Sequence, residues 1–157
     1  MNIAIIPARS GSKRVKNKNL IEFFGKPIIY YSISAAIKSK LFDRVIVSTD
    51  STRIKKIAEK CGAEVPFIRP KKISQDSTTV KKVIEHGINF LQKKKIKFKY
   101  VCCIYATAPL VQISDIKKGF TKIKSQWKYV FSACKFEKSI MRSFILDNQQ
   151  KTKYLLS

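Results

Sequence analysis

Short unbroken apolar runs alternate along this chain with stretches whose apolar residues return at helical spacing, and that alternation restricts the fold more than any other feature. The runs are NIAIIPA (2–8), RVIVST (44–49), AEVPFI (63–68), YVCCIYA (100–106) and YVFSACK (129–135). Most are continuous rather than alternating in polarity, as in strands covered on both faces. Between them the spacing predicts four helices. The first follows Gly25 through IIYYSISAAIKSK, with Pro27 near its first turn, where a missing N–H costs nothing. The second is N-capped by Ser51, buries Ile54, Ile57, Ala58 and Cys61, and stops at Gly62. The third starts at Ser77 or Thr78 and carries Val80, Val83, Ile84, Ile88 and Leu91 on one face. The fourth is capped by Ser114, has Asp115 in its first turn, and buries Ile116, Phe120 and Ile123.

Strand–helix repetition of this kind predicts an α/β fold, a mostly parallel sheet with helices on both faces. Ligands of such sheets lie beyond the carboxyl ends of the strands, which directs attention to loops 8–19, 49–51, 68–78 and 106–113. Residues 1–135 read as one α/β domain. Residues 136–157 lack a core of their own and read as one or two extended pieces with a turn at DNQQ.

With 157 residues, five glycines and five prolines, the chain can bury a real core and is not of disordered composition. No apolar segment approaches the roughly 18–20 residues that span a bilayer, and the N-terminus lacks a signal-peptide pattern, so a cytoplasmic location is expected. Cys61, Cys102, Cys103 and Cys134 have no metal-ligand spacing and read as reduced thiols; His86, the single histidine, reads as packing or surface. A net charge of +23 could attract nucleic acid. Yet the lysines are spread along the chain, densest in QKKKIKFKY (92–100), and no RNP, zinc-finger or helix-turn-helix signature occurs. A basic nucleic-acid-binding module is the alternative from another class.

The loop after the first strand, ARSGSKRVKNKNL, holds Arg9, Lys13, Arg14, Lys16 and Lys18. It has neither Walker nor dinucleotide glycine spacing. Backbone N–H groups around Ser10, Gly11 and Ser12 could form an anion nest, with long cations closing over it. The competing reading is a solvated basic turn.

The residues of this loop also resemble a family. IIPARSGSKRVKNKNL followed by GKPIIYYSI, then FDRVIVSTDS, AEVPFIRPKKISQDSTT and VCCIYATAPL, is similar in order and content to the cytidylyltransferases that activate nonulosonic acids. The similarity covers Met1 to about Phe136. Tyr105 in YATAP, and the VCC before it, resemble the branch acting on pseudaminic acid; sialic, legionaminic or Kdo-type acids are the alternatives.

The resemblance implies a Rossmann-like nucleotide-diphospho-sugar transferase fold and transfer of CMP from CTP to an acidic nine-carbon sugar, releasing pyrophosphate. It implies phosphate contacts from Arg9, Ser12 and Lys18, alongside Ser10 and Gly11, with Asn19 holding the adjacent nucleotide. Lys18 and Arg9 would stabilise the reacting phosphorus, unless Lys18 only anchors substrate. Arg69 falls at a nucleotide-binding position and Thr78 matches a ligand-contacting hydroxyl, although Asp76, Ser77 and Thr78 also suit a helix cap. Tyr105, Ala106 and Thr107 would meet the sugar or base, unless Tyr105 is a core residue. Asp50 could face the site but suits capping better. The resemblance further implies Mg²⁺, a homodimer, and members longer than this chain whose paired aspartates lie in a later segment. No such pair occurs between Met1 and Ser157, and Asp147 stands alone in LDNQQ. No metal ligand is therefore assigned within the chain, and the family's aspartates are expected beyond Ser157. On that reading the chain is C-terminally incomplete, residues 136–157 begin a dimerisation arm, and nucleotide binding should outlast turnover.

Overall fold

The computed structural model describes residues 1–125, 127–133, 144–146 and 152–154. Strand β1 (Asn2–Pro7) forms the centre of a parallel sheet, flanked by β4 (Arg44–Ser48) and β5 (Tyr100–Cys103) in the order β4-β1-β5. Its side chains alternate between two cores. Ala4 and Ile6 join Ile29, Ile33 and Ala36 of α1 (Ile29–Ser39) and Ile54 and Ala58 of α2 (Thr52–Lys60), with Ile116 of α4 (Ile113–Ser125) packed alongside. Ile3 and Ile5 pack on the opposite face against Leu91 and Ile84 of α3 (Val80–Lys93). The expected parallel sheet with helices on both faces is what the chain forms. Ile3, Ile5 and Ile6 are wholly buried, and each such side chain contributes about 1.5–3 kcal/mol. On the α3 side the approach is close: a methyl added at Gly87 would lie 3.0 Å from Ile5 Cδ1.

Several boundaries differ from the sequence reading. Residues 63–68 do not form a strand. They run beside β4 through two isolated parallel bridges, Ile46 to Glu64 and Thr49 to Ile68, because Pro66 between them offers no N–H to the ladder. Strand β5 ends at Cys103 rather than 106; Ile104 still donates to the Ile5 carbonyl at 3.2 Å before the chain leaves the sheet. Residues 129–133 are not a strand either. Tyr129 and Phe131 point to solvent while Val130 faces Gly119, an apolar alternation without a strand neighbour among the described residues. Cys134 and Lys135 lie outside the described residues.

Pro27 belongs to a hairpin, not to a helix. β2 (Glu22–Phe23) pairs antiparallel with β3 (Lys26–Pro27) around Phe24 and Gly25, whose φ angles of 44° and 72° make the tight left-handed turn that suits such strands. Ser51 caps α2 as expected, accepting from the Ile54 amide. Thr79, rather than Ser77 or Thr78, caps α3 by accepting from Lys82. Helix α4 already includes Ser114, and its Ile116, Phe120 and Ile123 are half-buried instead of buried. Further on, where one or two extended pieces were expected, β6 (Phe144–Leu146) pairs antiparallel with β7 (Thr152–Tyr154). The DNQQ turn and the rest of 136–157, up to and including Ser157, lie outside the described residues. Among the described residues no helix is long and apolar enough to cross a membrane.

Candidate active site

Three loops leave the carboxyl edge of the sheet and face one cleft. The first follows β1. Ala8 donates to the Ser48 carbonyl at 2.9 Å, which keeps the loop root on β4. Ser10 then donates its amide and hydroxyl to the two Asp50 oxygens, at 2.8 and 2.9 Å. Asp50 is therefore a fastener of this loop, and the capping expected of it is performed by Ser51. Asn19, only 4 % exposed on the short 3-10 turn Lys18–Leu20, donates to the Arg9 carbonyl at 2.8 Å. It lines the cleft while bracing Arg9 from behind.

The second loop carries Arg69, 2 % exposed, whose Nε donates to Ser74 Oγ at 3.0 Å. That hydroxyl donates in turn to the Pro70 carbonyl at 3.0 Å. Among the described residues the buried Arg69 Nη1 has no hydrogen-bond partner. Burial lowers the guanidinium pKa, nearby Asp50 opposes the shift, and Arg9 adds to it. A buried donor left free beside a cleft gains from any ligand acceptor that reaches it.

The third loop begins as β5 ends. Ser32 of α1, wholly buried, donates to the Tyr105 carbonyl at 2.7 Å and fixes where the chain turns away from the core. Tyr105 is 60 % exposed, so it is not a core tyrosine. Ala106 is buried and Thr107 half-buried, and both border the cleft with Tyr105.

The cleft measures about 130 Å³ and is lined by Arg9, Lys18, Asn19, Arg69, Thr78, Tyr105, Ala106 and Thr107, together with Pro7, Ile73, Ser74, Gln75, Val80 and Val83. Eight residues singled out in the sequence thus converge on it. Ser10 borders a smaller neighbouring hollow with Arg9, Asn19 and Arg53, whereas Gly11 and Ser12 line neither. The expected amide nest is not open: Ser10 N–H is given to Asp50, and Ser12 N–H donates to the Ser10 carbonyl at 2.9 Å. Positive charge is presented by side chains instead.

Sequence reasoning missed how Asp76 is used. Its carboxylate pairs with Arg9 Nη2 and, at 3.2 Å, with Lys13 Nζ, tying the first loop to the second. The Arg9 hydrogen bond, and then that of Lys13, hold this carboxyl below the usual carboxylate range. Ser32 and Ser74 were also missed; a lone serine in a helix or loop carries no local signal. His86 packs edge-on against Phe67, ring centroids 4.9 Å apart, as a packing residue would.

The residues present do not suit a magnesium site. No three metal-ligating side chains cluster among the described residues, and the two carboxylates at the loops, Asp50 and Asp76, are engaged by Ser10 and by Arg9 with Lys13.

A parallel sheet whose carboxyl-edge loops gather Arg9, Lys18 and Arg69 around one cleft defines an α/β domain of nucleotide-binding type. The cytidylyltransferase family model matches residues 3–152, and the chain belongs to that family. It is 43 % identical over 151 residues to a pseudaminic acid cytidylyltransferase of Campylobacter jejuni, covering 96 % of this chain and 65 % of that relative. The chain thus spans just under two thirds of that relative's length. It is 33 % identical over 130 residues to a CMP-N,N'-diacetyllegionaminic acid synthase of Legionella pneumophila, covering 83 % and 56 %. The fold is shared with CMP:2-keto-3-deoxy-manno-octonic acid synthetase complexed with CTP, at TM-score 0.65 and 20 % identity, over 78 % of this chain and 47 % of that one. A 4-diphosphocytidyl-2C-methyl-D-erythritol synthase from Anaerococcus prevotii shares it too, at TM-score 0.59 and 17 % identity, over 98 % and 63 %.

Proposed function

We propose that this protein transfers CMP from CTP to a nonulosonic acid, pseudaminic acid being favoured, with release of pyrophosphate. The observation that carries the reading is the convergence of Arg9, Lys18 and Arg69 on one cleft, with Arg69 Nη1 buried and unpartnered among the described residues. The anomeric hydroxyl attacks the α-phosphorus in line; its oxygen bonds to phosphorus and gives up its proton to water as the bond to pyrophosphate breaks. Charge grows on the phosphoryl oxygens and the leaving group, so fixed cations lower the barrier chiefly by electrostatics and positioning.

In this reading Lys18 meets the pentacoordinate phosphorus and Arg9 the phosphate tail. Asn19 sets Arg9 and borders the nucleotide, and Arg69 and Thr78 donate to it. Tyr105, Ala106 and Thr107 form the sugar side. If Lys18 acts on the transition state, Lys18→Ala lowers kcat; an anchoring role alone would raise KM. The pseudaminic choice is supported by a relative of that name matching 96 % of the chain, whereas an N-acylneuraminate cytidylyltransferase of Escherichia coli, 44 % identical, matches 55 %. Sialic, legionaminic and Kdo-type acids are the alternatives. The exposed Leu110, Trp127, Tyr129 and Phe131 offer apolar surface for a homodimer, and a cytoplasmic location would suit a CTP-consuming enzyme. Net charge alone favours nucleic acid, and no feature of the cleft adds to it.

Thermal unfolding with each nucleotide tests the reading. CTP should raise the transition more than equimolar GTP, and pseudaminic acid should add to the CTP effect more than sialic acid or Kdo. Equal or absent protection by the two nucleotides would contradict it.

A further inference from the structure

Two of the loop's cations are already satisfied by a carboxylate from the opposite wall. Asp76 accepts from Arg9 Nη2 and lies 3.2 Å from Lys13 Nζ. It belongs to a compact turn in which Thr78 N–H donates to the Gln75 carbonyl at 3.1 Å, and Gln75 and Thr78 both line the cleft. The pairing therefore joins two cleft walls. The cleft between these walls holds about 130 Å³, less than the ~300 Å³ at which sites for small ligands usually begin.

We propose that Asp76 is an internal competitor for the polyphosphate tail: its carboxylate occupies Arg9 and Lys13 in the free protein, yields them to the incoming triphosphate, and retakes them as pyrophosphate leaves. The inference rests on the CTP reading above and deepens it by giving Lys13 a phosphate partner. The chemistry favours an exchange of this kind. Asp76 and Lys13 are solvent-exposed, and exposed ion pairs are weak. A pyrophosphoryl group brings more charge and more acceptor oxygens to the same donors than one carboxylate can. Displacing Asp76 also unties the turn bearing Gln75 and Thr78 from the first loop, which widens the cleft as the nucleotide enters. A carboxylate that re-forms the pair weakens the hold on the departing pyrophosphate.

Calorimetry in magnesium-free buffer with CTP, pyrophosphate and CMP, on wild type and Asp76→Asn, is the test. The variant should bind CTP and pyrophosphate tighter, by about threefold given the usual weakness of exposed pairs, while CMP, lacking the tail, binds alike to both proteins. CTP and pyrophosphate binding no tighter in the variant would overturn the proposal, as would equal tightening for CMP. Failure of the wild type to bind CTP at all would instead sink the functional reading. Hydrogen exchange on the wild type covers a variant that does not fold. Saturating pyrophosphate should speed exchange of the Gln75–Thr79 amides; unchanged or slower exchange there overturns the proposal.

Discussion

Asp50, just beyond β4, accepts both the amide and the hydroxyl of Ser10, at 2.8 and 2.9 Å. These two bonds set the direction in which the first loop leaves the sheet, one residue after Arg9. Asp50→Ala should weaken CTP binding about tenfold, the scale of losing hydrogen bonds to a charged group. Asp50→Asn, which still accepts from the Ser10 amide, should recover most of it. Titration calorimetry reads both, and wild-type affinity in the alanine variant would refute the assignment.

Arg69 separates a stability role from a binding role. Its burial disfavours the charged form, so an apolar side chain of similar length costs the fold little. Arg69→Met should keep or raise the thermal midpoint and yet lower CTP affinity by about tenfold or more, through loss of the free Nη1 donor. A variant that unfolds early but binds normally would reverse these roles.

What could be read from the sequence divides along a physical line. The parallel core was legible because Ile3–Ile6 and Val45–Val47 are apolar without alternation, and α2 because Ser51 and Gly62 mark its ends locally. Arg69, Lys18 and Tyr105 were legible because a family pattern surrounds them. Pairings across distant sequence were not: Asp76 meets Arg9 across 67 positions and Ser32 meets Tyr105 across 73. Residues 63–68 and 129–133 read as strands because apolar content reports burial preference, not the presence of a neighbouring ladder.

Ser32 holds the Tyr105 carbonyl from inside α1. Ser32→Ala should cost about 1 kcal/mol of stability, the usual worth of one such hydrogen bond, measurable by urea unfolding. Because the loop it releases borders the cleft, sugar binding in the presence of CTP should weaken more than CTP binding itself. Equal weakening of both would contradict a local positioning role.

His86 makes stability depend on pH. Burial, then Arg69 and Lys93, lower its pKa, and its buried Nδ1 has no partner among the described residues. The unfolded chain therefore takes up a proton near the ordinary value of about 6.5, before the folded one does. Stability should be level above pH 7 and decline as pH falls through 6.5 towards the lowered folded value. In His86→Phe that part of the decline should vanish from midpoints recorded between pH 7.5 and 5; an unchanged slope would refute it.

The central claim is that the cations after β1 grip the phosphates of CTP. Calorimetry of CTP at low ionic strength with wild type, Arg9→Ala and Lys18→Ala tests it most directly. The account predicts clear binding by the wild type and at least about a tenfold loss in each variant, as for a charge-assisted contact. No binding by the wild type, or equal affinities in all three proteins, would contradict it.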